Sequence, residues 1–384
     1  MRFPWRCALV LAALMAACLV VAACGGEEEE EAAPAATPSA GGVSMFRGNP
    51  ARTGVNPGPG VERSPTLLWR FHTEDDVSCS PAVVDGVVYI GSDDGYVHAL
   101  DAATGEERWR FQAGRYIFSS PAVVDGAVYI GSHDGYVYAL DAATGEERWR
   151  FQTGLIVRSS PAVVDGVVYI GSDDNYVYAL DAATGDQRWR FQTGGGVESS
   201  PAVVEGVVYI GSRDSYVYAL DAATGEERWR FDTGRWVYSS PAVVDGVVYV
   251  GSDDSYVYAL DAATGEERWR FQAGRYILSS PAVVDGAVYI VGNHDGYVYA
   301  LDAATGEERW RFQTGLIVRS SPAVVDGVVY IGGYDGYVHA LDAATGEERW
   351  RFQVGRYIFS SPAVVDGVVY VGSMDNYVYA ITEE

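Results

Sequence analysis

The sequence contains no lysine and only four cysteines, and both shortages limit what the chain can be. All 27 basic residues are arginines, against 52 acidic residues, so the formal net charge is −25. This balance excludes a nucleic-acid partner, which needs a basic surface, and it disfavours direct docking on anionic lipid headgroups. Cys7, Cys18 and Cys24 fall in or next to an N-terminal apolar segment, so no disulfide framework is predicted. Cys79 is expected to be a lone thiol at a position that is otherwise serine.

The N-terminus has the pattern of an export signal. Arg2 and Arg6 precede an apolar run from Ala8 to Ala23, which is short for a membrane span. Small residues lead up to Cys24, as in a bacterial lipobox, so we predict a signal peptide over residues 1–23 and lipidation of Cys24. Residues 24–44, with their acidic run and Ala/Pro/Thr/Ser/Gly composition, are predicted to be a disordered tether. The protein is then an exported, membrane-anchored bacterial lipoprotein, on the periplasmic face of the outer membrane or the outer face of the cytoplasmic membrane.

A repeat of 40 residues dominates the rest of the chain. Ser-Ser-Pro-Ala-Val-Val-Asp-Gly and close variants of it recur eight times, with one residue inserted near Val291. Each unit holds four short apolar segments separated by turn sequences such as Asp125-Gly126 and Asp141 to Gly145. Four antiparallel strands in this length are typical of one β-propeller blade, and no window has a helical period.

The number of blades and their closure follow from counting. Eight tryptophans mark eight outer strands, at positions 69, 109, 149, 189, 229, 269, 310 and 350. The unit after Pro362 ends near Ile381 without an outer strand, so the strand Leu67–Phe71 is predicted to pair with Tyr377–Ile381. We therefore predict an all-β fold, a closed eight-bladed propeller over residues 66–384, preceded by a strap over residues 45–65.

The turn before each outer strand carries a family signature. Ala99 to Trp109 has the form A-x-D-x-x-T-G-x-x-x-W, which occurs seven times and resembles the tryptophan-docking motif of the PQQ-type quinoprotein propellers. Asp101 is expected to accept hydrogen bonds from the turn, and Gly105 to have a positive φ that delivers Trp109 between sheets. The eight repeat tryptophans (Trp69, Trp109, Trp149, Trp189, Trp229, Trp269, Trp310 and Trp350) are therefore predicted to form a structural girdle. The segment Met45–Gly54 also resembles the one that precedes the propeller in BamB-like proteins, where it is expected to pack across one face.

The resemblance leaves two classes of function to compare. PQQ-dependent dehydrogenases of this family carry an adjacent Cys-Cys disulfide, a non-repeat tryptophan and a calcium site at the quinone. Here no Cys-Cys pair exists, and Trp236 is the one propeller tryptophan outside the girdle. Asp93-Asp94-Gly95 and related pairs lack the ligand pattern of a calcium loop and are expected to be tight turns. The five histidines have no metal-ligand spacing and are expected to be substituted repeat positions. We predict a non-enzyme with no metal and no cofactor, PQQ binding being the less favoured alternative.

The positions where the repeats differ are the candidates for function. Two loops vary, the one before each Ser-Ser-Pro and the middle turn, and the strand order places them on one face. Arginine and aromatic residues of these loops suit protein interfaces, although unconstrained drift would also produce such variation. The candidate binding residues are Arg115, Tyr116, Arg158, Arg235, Trp236, Arg275, Tyr276, Arg319, Arg356 and Tyr357.

We therefore expect a monomeric, non-catalytic scaffold that binds one or more envelope proteins, with BamB-like assembly of outer-membrane proteins as the nearest role implied by the resemblance. The alternatives are a PQQ-dependent dehydrogenase-like quinoprotein and an extracytoplasmic ligand- or carbohydrate-binding sensor.

Overall fold

The computed structural model describes residues 42–56, 58–292 and 295–384. The predicted signal peptide, Cys24, most of the predicted tether and His294 lie outside these ranges. Within them, no helix is long and apolar enough to cross a membrane.

The described residues form 32 strands in eight four-stranded antiparallel sheets. The first strand is β1 (Pro65–His72). Blades 1 to 4 contain β2 (Ala82–Val84), β3 (Val87–Gly91), β4 (Tyr96–Asp101), β5 (Glu107–Gln112), β6 (Ala122–Val124), β7 (Ala127–Gly131), β8 (Tyr136–Asp141), β9 (Glu147–Gln152), β10 (Ala162–Val164), β11 (Val167–Ser172), β12 (Tyr176–Asp181), β13 (Gln187–Gln192), β14 (Ala202–Val204), β15 (Val207–Gly211), β16 (Tyr216–Asp221) and β17 (Glu227–Asp232). Blades 5 to 8 contain β18 (Ala242–Val244), β19 (Val247–Gly251), β20 (Tyr256–Asp261), β21 (Glu267–Gln272), β22 (Ala282–Val284), β23 (Ala287–Gly292), β24 (Tyr297–Asp302), β25 (Glu308–Gln313), β26 (Ala323–Val325), β27 (Val328–Gly332), β28 (Tyr337–Asp342), β29 (Glu348–Gln353), β30 (Ala363–Val365), β31 (Val368–Ser373) and β32 (Tyr377–Glu383).

The blades close into a ring around a central channel. The short first strand of each blade contacts the first strands of both neighbouring blades, and the series returns from β30 to β2. The outer strand of blade 8 is β1, which pairs antiparallel with β32 and sets Trp69 opposite Ala380 and Phe71 opposite Val378. The predicted eight-bladed propeller and its closure by the N-terminal strand are confirmed.

The apolar content of the middle strands is explained by burial on both faces. All five residues of β3 are buried, and so are their equivalents in most other blades. Each such sheet packs against the next, so its valines, isoleucines and tyrosines are covered from both sides. Removal of this apolar surface from water is the main force that holds the ring together.

The docking motif works through a backbone turn. Asp101 Oδ1 accepts a hydrogen bond from the N–H of Thr104 at 3.0 Å, and Gly105 has φ 74°, as predicted. The indole of Trp69, from the neighbouring blade, lies on this turn and donates its N–H to the carbonyl of Ala102 at 2.9 Å. A Cβ on Gly105 would lie 2.6 Å from the Trp69 ring, so glycine is needed for space as well as for its φ.

The same bond links six further pairs of neighbouring blades. The donors and acceptors are Trp109 and Ala142, Trp149 and Ala182, Trp189 and Ala222, Trp229 and Ala262, Trp269 and Ala303, and Trp310 and Ala343. Blade 8 lacks the docking sequence, and there Trp350 donates instead to the carbonyl of Val61 at 2.8 Å. The predicted girdle is confirmed, with Val61 of the strap completing it.

A second ring of hydrogen bonds surrounds the channel. The backbone N–H of the second serine in each Ser-Ser-Pro donates to the hydroxyl oxygen of the equivalent serine in the next blade, at 2.8–3.0 Å. The ring runs through Ser80, Ser120, Ser160, Ser200, Ser240, Ser280, Ser321 and Ser361, and its last bond returns from Ser361 to Ser80. The Ser-Ser-Pro signature is therefore an inter-blade joint.

The strap lies inside the channel, and the prediction that it packs across one face is wrong for most of its length. Val43 and Ser44 continue the strap, so the prediction of a disordered tether is wrong for these two residues. Val43 pairs with Val83 of blade 1 by two backbone bonds of 2.8 Å, and the carbonyl of Ser44 accepts the N–H of Val123 of blade 2. Further along, strap carbonyls accept the N–H of the middle valine of the first strand in blades 2, 4, 5, 6 and 7. Only the last residues reach a face, where the carbonyl of Pro59 accepts the N–H of Gly367 at 3.0 Å. These inner N–H groups have no strand beside them, and the strap satisfies them.

The side chains of two strap arginines are buried in the channel. The Arg52 side chain is fully buried and donates to the carbonyls of Ser160, Pro161 and Pro201, each at 2.9 Å. Arg47 is also buried and donates to carbonyls of blade 6. Burial lowers the pKa of Arg52 to about 9, and burial together with the Arg52 charge lowers that of Arg47 to about 9.

Candidate functional site

Two sets of loops share one face of the propeller, as the strand order predicts. The N–H of the first or second residue of the middle turn donates to a carbonyl of the preceding inter-blade loop, for example His133 to Tyr116 at 3.1 Å and Asp253 to Trp236 at 2.9 Å. We call the surface of these loops and turns the variable face. The inter-blade loops span residues 73–78, 113–118, 153–158, 193–198, 233–238, 273–278, 314–319 and 354–359. The Asp-Gly hairpin turns and the docking turns form the opposite face.

Each inter-blade loop is fixed by one buried anchor. Ile117 is fully buried, and its Cγ2 lies 2.3 Å from where a Cβ on Gly91 would stand. Glycine therefore ends β3 because an anchor residue from the next loop packs there. The equivalent anchors, all fully buried, are Val77, Val157, Val197, Val237, Ile277, Val318 and Ile358. The residue before each anchor lies at the rim of the face, and the residue after it lies beside the middle turn.

The rim exposes large apolar side chains. Six of the eight exposed large hydrophobic residues in the described chain belong to inter-blade loops: Tyr116 (50% exposed), Leu155 (55%), Trp236 (47%), Tyr276 (40%), Leu316 (53%) and Tyr357 (44%). The other two, Leu67 and Leu68, are on the outer strand β1. Exposed apolar area concentrated on one face marks a contact surface more than scattered exposure would.

The arginines of the variable face differ in their partners. Arg158 is neutralised, since its Nη1 lies 2.7 Å from Asp173 and 3.2 Å from Glu198. Its equivalent four blades later, Arg319, forms no ion pair with any described residue and lies over the ring of Phe359, 5.4 Å from the centroid. The rim arginines Arg115, Arg235, Arg275 and Arg356 are exposed, and none has a carboxylate oxygen within 4.0 Å among the described residues. The structure thus brings the candidate binding residues to one face, but their role in binding stays a prediction.

Half-buried acids line the inner part of the variable face. Burial raises the pKa of Asp93 to about 7 and that of Asp253 to about 6, and it also raises the pKa values of Asp173 and Glu198. One carboxylate oxygen of each of the three aspartates is buried without a hydrogen-bond partner. Sequence reasoning missed this group, because it assigned these residues to turns and had no measure of their burial.

The second aspartate of each middle turn has a structural role. Asp94 Oδ1 accepts the N–H of Tyr96 at 2.8 Å, which confirms the predicted tight turn. In blade 2 the equivalent Asp134 also accepts the hydroxyl of Tyr138 at 2.6 Å. His98 replaces that tyrosine in blade 1 and lies between Asp94 and Glu107, so it is a substituted repeat position as expected.

The residues present do not fit a quinone site of the dehydrogenase kind. The strap lies in the channel with the Arg47 and Arg52 side chains buried against blade carbonyls, and Trp236 is on the exposed rim. Cys79 is buried in blade 1, where its sulfur accepts the N–H of Gly91 at 3.1 Å, and burial raises its pKa to about 12. The described residues bring no three of His, Cys, Asp and Glu together in a way that would hold a metal ion.

Comparison with protein families gives one match that covers most of the chain. The family described as "Outer membrane protein assembly factor BamB" matches residues 61–175, 133–235, 213–316 and 294–384. The sequence matches none of the curated proteins with which it was compared.

Solved structures share the fold at low identity. BamB from Moraxella catarrhalis is 22% identical, with a TM-score of 0.71 over 83% of this chain and 99% of that one. A europium-containing methanol dehydrogenase is 16% identical, with a TM-score of 0.78 over 89% and 98%. The quinohemoprotein alcohol dehydrogenase from Comamonas testosteroni is 18% identical, with a TM-score of 0.76 over 89% and 80%. At these identities the likeness shows the fold alone, which BamB and the two dehydrogenases share.

Proposed function

Because the chain belongs to the family of the outer membrane protein assembly factor BamB, we propose that it is a non-catalytic, lipid-anchored scaffold of the bacterial envelope. It binds envelope proteins through the variable face, in the assembly of outer-membrane proteins or a related process. The observation that carries this proposal is the variable face itself, where exposed aromatic and leucine side chains are held in place by buried anchors.

The occupied channel supports a scaffold over an enzyme. The strap lies there with backbone bonds to six blades and a side-chain bond from Arg52 to a seventh, which reduces the room for a substrate and a cofactor. The exposed residues of the variable face are arginine, tyrosine, tryptophan and leucine. Arginine and aromatic residues are the types that contribute most to protein interfaces.

Affinity capture from native membranes tests the proposal. The tagged full-length protein is expected to retain specific envelope proteins, and the double variant Arg235→Glu with Arg275→Glu is expected to lose them. The control variant Arg63→Glu with Arg110→Glu changes the charge equally away from the variable face and should capture as the original does. Unchanged capture by the first variant would refute the assignment of the binding face.

The quinoprotein alternative has its own test. A dehydrogenase reconstituted with PQQ and calcium would show a bound-cofactor absorbance and would reduce an artificial electron acceptor in the presence of alcohols. We expect neither signal. Substrate-dependent dye reduction would show that the chain is an enzyme and would overturn the scaffold proposal.

A further inference from the structure

Four arginines without a carboxylate partner lie in consecutive inter-blade loops on one side of the variable face. They are Arg235, Arg275, Arg319 and Arg356, and all four are exposed. Within the described residues none of them has a carboxylate oxygen within ion-pair distance; Asp253 and Asp76 act on Arg235 and Arg356 only through longer-range attraction. With Trp236 and Tyr357 these arginines form what we call the crescent.

Aromatic stacking holds one end of the crescent in place. The rings of Tyr334 and Tyr357 are stacked with centroids 4.8 Å apart, and Tyr334 also stacks on Phe359 at 5.0 Å. The guanidinium of Arg319 lies over Phe359, and that of Arg356 lies 6.0 Å from the centre of the Tyr357 ring. A guanidinium held flat on a ring still offers its N–H groups at the edge, where they can donate to a carboxylate.

The other half of the variable face has the opposite character. Two of its arginines, Arg158 and Arg213, are paired with Glu198, and Arg158 is also paired with Asp173. The loop before blade 1 carries Asp75 and Asp76 where three of the four crescent loops carry arginine and an aromatic residue. The chain as a whole has a net charge of −25, so the crescent is the part of the variable face that attracts an acidic ligand.

The segment that lies in the channel begins and ends toward the opposite face. A Cβ on Gly42 would lie 2.8 Å from the carbonyl oxygen of Val83 and 3.5 Å from the Cα of Val84, and Val84 leads into the hairpin turn of the opposite face. Gly42 and Pro59, whose carbonyl accepts the N–H of Gly367, therefore both lie toward the face opposite the crescent.

We propose that the crescent binds an acidic, extended polypeptide segment that carries apolar side chains, with its carboxylates on Arg275 and Arg319 and its apolar side chains against Trp236 and Tyr357. This inference deepens the proposed scaffold function and depends on it, because it names the kind of segment that a partner would present.

The four-blade duplication supplies matched control residues for the test. Arg115 and Arg158 stand at the positions equivalent to Arg275 and Arg319, in the half where Arg158 is neutralised. The crescent variant is Arg275→Gln with Arg319→Gln, and the matched variant is Arg115→Gln with Arg158→Gln. Both are made in the full chain with Cys24→Ala, so that lipidation does not attach the protein to vesicles.

The probe is a fluorescein-labelled peptide of alternating glutamate and leucine or phenylalanine, and a glutamine version is the uncharged control. Fluorescence anisotropy should show binding of the acidic peptide that weakens with salt. The crescent variant is expected to bind about tenfold more weakly, the change expected for the loss of two solvent-exposed ion pairs, and the matched variant should bind about as the original does. Urea midpoints of both variants establish that they are folded.

Three outcomes would overturn the inference. The first is an equal loss of affinity for the acidic peptide in the two variants. The second is unchanged affinity for the peptide in the crescent variant. The third is binding of the protein to phosphatidylglycerol vesicles but not to the peptide. Membrane capture separates this inference from the proposed function. If the matched variant loses the captured proteins and the crescent variant keeps them, the scaffold function stands and the crescent inference fails. If the crescent variant, the matched variant and the double variant Arg235→Glu with Arg275→Glu all retain the captured proteins, the variable face is not the binding face.

Discussion

Two glycines of blade 3 separate the effect of backbone conformation from the effect of tryptophan docking. Gly166, in the hairpin turn, has φ 69° and nothing within 4 Å of the position of an added Cβ. Gly185, in the docking turn, has φ 77°, but a Cβ there would lie 2.7 Å from Cδ2 of the Trp149 ring. Replacement of each by alanine imposes a similar backbone strain, and only the second displaces the indole.

The expected costs differ by the docking contribution. An alanine at φ near +70° costs about 1–2 kcal/mol, which is the whole effect expected for Gly166→Ala. Gly185→Ala adds the overlap with the ring, about 1–3 kcal/mol, and the weakened bond from the Trp149 N–H to the Ala182 carbonyl, about 1 kcal/mol. We therefore expect Gly185→Ala to destabilise the propeller by about 3–6 kcal/mol.

Urea denaturation followed by far-UV circular dichroism measures both free energies, and tryptophan fluorescence reports the environment of the ring. A red-shifted emission should accompany Gly185→Ala alone, since Trp149 is buried in the original protein. Equal destabilisation by the two variants, or an unshifted emission with Gly185→Ala, would refute the argument that the glycine is required by the ring.

Two further predictions concern ring closure and pH. Deletion of residues 42–72 removes the strap and β1 and leaves β32 as an open edge, so it should cause concentration-dependent association in gel filtration. The control, deletion of residues 2–41, should leave a monomer. A folded, monomeric protein after the 42–72 deletion would contradict the role of β1 in closure. Burial raises the pKa of Asp93 from 3.8 to about 7, so folding favours the protonated carboxyl and its stabilising contribution is lost as the pH rises through about 7. The urea midpoint should therefore fall between about pH 4 and pH 7, and Asp93→Asn should reduce that fall; an unchanged pH dependence in the variant would exclude Asp93 as its source.

The repeat predicts the blades because each structural bond in the ring is made by a repeated residue. The spacing of tryptophans and prolines gives the number of blades, and the missing outer strand after Pro362 gives the closure by Leu67–Phe71. The bond from Trp350 to Val61 could also have been inferred, since the last unit lacks a docking turn and another carbonyl must replace it. Patterns that recur once per blade are therefore sufficient for the fold.

The sequence does not predict the position of the strap, because the strap is not repeated and has no periodicity. Its partners are backbone groups of the first strands, and nothing in the sequence shows that these groups lack a neighbour. The burial of Arg52 depends on carbonyls that are 108 to 149 residues away in the chain. The sequence shows Asp173 and Glu198 in one half of the ring and Tyr334 and Phe359 at the equivalent positions of the other half. That these residues lie beside Arg158 and Arg319 depends on which loops touch. The charge distribution of the variable face therefore required the structure.

The path of the strap through the channel also decides how many blades the ring contains. Near-identical blades can dock on any neighbour, so the girdle and the serine ring alone would allow rings with one blade fewer or more, or exchange of blades between two chains. The strap is a single non-repeated segment whose backbone bonds reach blades 1, 2, 4, 5, 6, 7 and 8 in their chain order, ending with Pro59 on Gly367, while the Arg52 side chain reaches blade 3. Only a ring of eight blades from one chain satisfies all of these bonds, so the strap acts as an internal template that measures ring size and distinguishes one copy of the repeat from another.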